Sequence, residues 1–157
     1  MLHALRAFLK NPQPTELQAA NVLRMIYVMV FMAQLAVAAL LAGIMAIVLG
    51  RQSSGTFLAQ IFILLSLVQL PLALLLSFGV SRTGGKQGAL SASIMSGVLF
   101  STPAWFAAMT FLVSSGFFYL AVLMAILMLY YALGVLLCGR WAKVALLPPS
   151  KPASSEK

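Results

Sequence analysis

The chain contains no aspartate, two glutamates (Glu16 and Glu156), one histidine (His3) and one cysteine (Cys138). A single cysteine excludes an internal disulfide, a four-thiol zinc site and a CxxC redox pair. One histidine and two glutamates, all far out in the chain, leave no base with an orienting partner and no ligand set for a metal. Charge of either sign is missing from Gln87 to Gly139. That stretch therefore also lacks the ionisable group that proton-coupled transporters and pumps place inside the membrane. These shortages point away from an enzyme and away from any cofactor.

Hydrocarbon takes the place of charge. Hydrophobic residues make up 62% of the chain and charged ones 8%, and the mean hydropathy is +1.04, far outside soluble-domain usage. A chain of 157 residues has room for one domain and no separate soluble module. The uncharged stretch is about fifty residues long, enough for two crossings of roughly 20 apolar residues each. The place to turn is Val113-Ser114-Ser115-Gly116, where small polar residues and a glycine interrupt Phe, Leu, Met, Ile, Val and Ala.

The remaining segments read in the same way. Residues 1–10 put Leu2, Leu5, Phe8 and Leu9 on one side of a helical wheel and His3, Arg6 and Lys10 on the other, which predicts a short amphipathic helix lying at the membrane surface. Asn11-Pro12-Gln13-Pro14 turns the chain, because each proline steers the residue before it out of the helical region. Thr15 then reads as an N-cap with Glu16 in the first turn and Gln18 completing a capping box. Crossings are expected at about 25–49, 56–80, 89–112 and 117–138, within a domain of 15–143, followed by a disordered tail at 144–157. Pro71 and Pro103 each fall inside a crossing and should bend it; Pro71 leaves the Leu67 carbonyl without its helical donor. The fold class is therefore all-α: a polytopic membrane protein of four transmembrane helices, arranged as two antiparallel hairpins joined by the polar loop Ser81–Gly88.

Orientation follows from the cations. Nine of the ten Lys and Arg residues flank one side of this arrangement and only Arg51 the other, which places both termini in the cytoplasm. A bacterial version would sit in the inner membrane. The formal net charge of +8 is explained by this bias rather than by nucleic acid, since the basic residues form no folded basic face. Arg6, Lys10, Arg140 and Lys143 are the residues expected at the membrane surface, near anionic lipid headgroups. Tyr27, Tyr130, Tyr131 and Trp141 read as an inner aromatic belt.

Two groups of residues inside the spans stand out. Gln34 and Gln69 fall at similar depth in an antiparallel pair of helices, so a mutual amide hydrogen bond is the first reading and the lining of a polar path the second. Ser93, Gly97 and Ser101 form a small-residue stripe on the third crossing, with a weaker alanine stripe at Ala38, Ala42 and Ala46 on the first; such stripes let helix backbones approach closely. Ser101-Thr102-Pro103 reads as hydroxyls serving backbone carbonyls near a proline bend, not as a catalytic serine. Two functions compete. One is a non-enzymatic accessory, assembly or scaffold subunit packing against a membrane-protein partner or a homo-oligomer. The other is a small oligomeric channel or uncoupled transporter with its path near Gln34 and Gln69.

Reporter fusions test the orientation. Fusions at the N-terminus, at the Arg82–Lys86 loop and at the C-terminus are all expected to report the cytoplasm, and an outside C-terminus would overturn the count of four crossings.

Overall fold

The computed structural model describes residues 8, 15–50, 55–81, 85–113 and 116–146. The expected surface helix with Arg6 and Lys10 lies outside the described residues, apart from a buried Phe8, and so do residues 147–157 of the expected tail; at its start, Val144 and Ala145 are helical instead, continuing the last helix. Four helices follow in order: α1 (Glu16–Leu49), α2 (Thr56–Ser81), α3 (Gly85–Val113) and α4 (Phe117–Ala145). Each is long and apolar enough to cross a membrane, and α3 is the least apolar of them. Thr15 caps α1: the Gln18 backbone N–H donates to Thr15 Oγ1 at 3.3 Å and the Thr15 N–H donates to Gln18 Oε1 at 3.4 Å. Gly50, at a φ of 74°, ends it in a conformation that favours glycine. Pro71 and Pro103 lie within α2 and α3 as the sequence requires.

Packing order differs from chain order. Both α3 and α4 pack on all three other helices, while α1 and α2, among the described residues, barely touch. The bundle is thus a rhombus with α3 and α4 on its short diagonal and α1 and α2 at the far corners. This corrects the expectation that the first two helices are packed neighbours. The physical reason is where the small residues fall. On α3, a Cβ placed on Gly97 would sit 2.9 Å from Val30 Cβ and 3.3 Å from the Tyr27 carbonyl oxygen, and Ser93 Oγ donates to the Leu23 carbonyl at 2.8 Å. The stripe on α3 therefore receives α1. On α2, the buried positions Ala59, Ser66 and Ala73 recur every seven residues, with Ser77 one turn further on. That seam of small residues turns inward and leaves Leu64, Leu65, Leu67, Val68, Leu72 and Leu75 exposed.

Helix ends show the directions. The Gly55 N–H at the start of α2 donates to the Val113 carbonyl at the end of α3 at 2.9 Å. A Cβ on Gly55 would lie 2.6 Å from that oxygen, so a glycine is required for the approach. At the other end, Lys143 Nζ on α4 lies 3.9 Å from Glu16 Oε1 on α1; both side chains are well exposed, and such a pair adds little stability.

Aromatic rings fill the centre. Tyr27, Phe31, Phe100 and Tyr130 are buried, with ring centroids 5.8 Å apart for Tyr27–Phe31 and 5.7 Å for Phe100–Tyr130. Trp141 is buried as well. Tyr27, Tyr130 and Trp141 are thus interior side chains and not the surface belt read from their positions along the chain. Tyr27 occupies a notch at Gly134, where an added Cβ would fall within the tyrosine ring.

Gly134→Ala is accordingly expected to destabilise the bundle by about 1–3 kcal/mol through overpacking. Gly43→Ala, where an added Cβ meets nothing within 4 Å, should be neutral or gain up to about 1 kcal/mol from helix propensity. Thermal unfolding of both variants in detergent checks the contrast, and equal melting would show that Tyr27 does not fill the notch.

Candidate functional site

The side chains able to do chemistry are few, and most of them tie helices together. Gln34 and Gln69 do not bond each other. Gln34 Oε1 accepts from Trp105 Nε1 at 3.3 Å, and Gln69 Nε2 donates to the Leu99 carbonyl at 2.9 Å. Both partners belong to α3, the helix between α1 and α2. Each glutamine thus reaches α3 from its own side, and the expected mutual amide bond does not form.

The Leu99 contact has a covalent cause. Within a helix the Leu99 carbonyl would accept from the N–H of residue 103, four positions on. Residue 103 is proline and has no N–H. The Gln69 amide supplies the missing donor from the neighbouring helix. One residue earlier, the Val98 carbonyl accepts from Ser101 Oγ at 2.8 Å and from Thr102 Oγ1 at 3.4 Å. The hydroxyls of Ser101 and Thr102 thus serve backbone groups beside the proline.

Tyrosine and serine hydroxyls complete the set. Tyr27 donates to the Tyr130 carbonyl at 3.1 Å and lies 3.4 Å from that of Tyr131, joining α1 to α4. The Tyr130 hydroxyl donates to the Ser66 carbonyl, joining α4 to α2. Ser96 Oγ lies 2.8 Å from Ser77 Oγ and 2.6 Å from the Ala92 carbonyl, joining α3 to α2. With Ser93 to Leu23 and Trp105 to Gln34 joining α3 to α1, all four sides of the rhombus carry a hydrogen bond. Sequence reasoning missed Tyr27 and Tyr130, because a tyrosine near the end of a span reads as a surface anchor. The signal that points to Tyr27 is Gly134, an isolated glycine in a helix, which marks a close approach.

Charged groups collect at one end. Arg24, Arg140 and Lys143 are exposed there. Lys86 donates to the Phe8 carbonyl at 3.2 Å and lies 5.6 Å from the centre of the Phe8 ring. Cys138 is buried. Among the described residues no group of three His, Cys, Asp or Glu could hold a metal ion. The buried Thr110 Oγ1 and Trp141 Nε1 make no hydrogen bond among the described residues. No protein-family model, no curated protein and no solved structure matches the chain.

The proline and glutamine pair generates a double-mutant test. Gln69→Leu alone should cost about 1–3 kcal/mol, the penalty of an unanswered buried acceptor. In a Pro103→Ala background the helix supplies its own donor to Leu99, and the same substitution should cost much less. Unfolding of the four species in detergent measures the coupling, and strictly additive losses would show that Gln69 does not replace the missing donor.

Proposed function

We propose that the chain is a multi-pass membrane protein without enzymatic activity, acting through helix packing as an accessory, assembly or scaffold subunit of a membrane complex. The observation that carries this reading is the distribution of side chains. Serines, alanines and the rings of Tyr27, Phe31, Phe100 and Tyr130 are buried, while large aliphatic and sulfur side chains such as Met29, Leu40, Ile47, Leu64, Leu75, Met128 and Leu136 are exposed along the helices. A surface of that kind is unfavourable in water and at home in hydrocarbon.

The same reading places the four helices in up-and-down order with both termini in the cytoplasm. Its support is the nine-to-one cation bias and the gathering of Glu16, Arg24, Arg140 and Lys143 at the ends of α1 and α4 that approach each other. Arg6, Lys10, Arg140 and Lys143 would meet anionic headgroups on that side.

With Ser93, Gly97 and Ser101 turned toward α1 and the interior, the contact with a partner falls to the outer aliphatic faces, and the long exposed faces of α1 and α2 are the candidates. The channel reading draws less support, because Gln34 and Gln69 each bond to α3 and not to each other.

Cross-linking in native membranes, followed by gentle solubilisation and mass spectrometry, tests the proposal. A discrete higher-mass species containing this chain and a second membrane protein, or further copies of the chain, is expected. A chain that runs only as a monomer and yields no cross-linked species would overturn the accessory-subunit reading.

A further inference from the structure

The flank between α1 and α4 is closed at the charged end and open toward the other. Near the charged end Tyr27 fills the notch at Gly134 and bonds the α4 backbone. Further along α1 the inward side chains become small, and a crevice of about 340 Å³ opens between α1, α3 and α4. Ala38, Ala42 and Gly43 form one wall, Ala104 and Ala108 the floor, and Met124 part of the opposite wall. No lining side chain carries a nitrogen or oxygen atom. On α1, the residues flanking this wall include the exposed Leu40, Leu41, Ile44 and Met45, so the crevice continues an outer surface that is itself apolar.

We propose that this crevice is the seat of one acyl chain of a membrane phospholipid, in the leaflet away from the charged end. The inference rests on the reading that the four helices lie in a bilayer. Three features select the occupant. A lining without donors or acceptors gives a headgroup, a sugar or a peptide backbone nothing to replace its water. The volume of about 340 Å³, at about 30 Å³ for a group the size of a water molecule, accommodates a stretch of hydrocarbon chain and is far too small for a helix with a diameter of about 10 Å. Continuity with the outer surface lets the rest of the lipid remain in the bilayer while one chain enters sideways.

The test uses the full chain reconstituted in vesicles of phosphatidylcholine and phosphatidylglycerol that contain a phospholipid with a photoreactive diazirine in mid-chain. Peptide mapping after illumination is expected to find adducts concentrated on the Ala38–Gly43 and Ala104–Phe111 segments, above the level on the exposed face of α2 at Leu64, Leu65 and Leu72. Gly43→Leu fills the crevice from a position where an added Cβ meets nothing within 4 Å, and Ala108→Leu fills it from the floor. Each should lower crevice labelling about fivefold, equivalent to roughly 1 kcal/mol of preferential binding, and leave α2 labelling unchanged. Retained helical circular dichroism and retained α2 labelling show that a variant is still folded and inserted. Even labelling of all outer faces, or crevice labelling unchanged in both variants, overturns the seat while leaving the membrane reading intact. Absence of labelling on every helix, α2 included, overturns both.

Discussion

Tyr27 reaches α4 because residue 134 has no side chain to stop it, and that approach governs the arrangement around it. The ring fills the notch and its hydroxyl meets two backbone carbonyls, those of Tyr130 and Tyr131. Tyr130 in turn sends its own hydroxyl to the Ser66 carbonyl on α2. From α2, Gln69 passes to Leu99 on α3, and from α3, Ser93 passes back to Leu23 on α1. Each bond is directed at a backbone carbonyl, so the circuit depends on helix position and rotation more than on the identity of the receiving side chain. A helix that turned about its axis would lose its place in it. Hydrogen bonds of this kind contribute only about 1 kcal/mol each, and their weight lies in fixing which face meets which.

Small residues determine how near the helices stand. Gly97 and Ser93 admit α1 to α3, the seam of Ala59, Ser66 and Ala73 turns inward from α2, and Gly55 lets the start of α2 touch the end of α3. Close approach leaves most of the large aliphatic residues on the outside. A water-soluble bundle would instead gather its leucines and isoleucines in the middle. A few large side chains do lie inside: Leu23, Leu123 and Leu127, and the rings of Tyr27, Phe31, Phe100 and Tyr130, which span the gaps that small residues alone cannot close.

Helix number and rough extent were legible in the sequence, because uncharged runs, the Thr15 capping box and the glycines at turns each act locally. Partner choice was not. A stripe such as Ser93, Gly97 and Ser101 declares that something comes close, yet an adjacent helix and a separate protein require the same small surface. Gln34 and Gln69 were recognisable as amides within the spans, but the acceptor of one is a backbone carbonyl that Pro103 leaves without a donor. That acceptor exists in the sequence only as an absence four residues before a proline. The same rule identifies Leu67 ahead of Pro71; applied to Leu99, it supplies a partner for Gln69. The crevice beside Gly43 is harder to foresee, since the small residues that line it come from three helices whose packing order the chain does not spell out.

The rhombic order also bears on how the chain comes to be built. In most folds consecutive elements are neighbours and can settle as they emerge. Here α1 and α2 share almost no packed surface, so a ribosome that has made only the first half of the chain has released two helices with little native contact to hold each other. Both wait for α3, which packs on each of them, and α3 in turn carries the carbonyl that Gln69 must find. Assembly is thus postponed to the second half of synthesis. Until then α1 and α2 lack most of the packing that they have in the finished bundle.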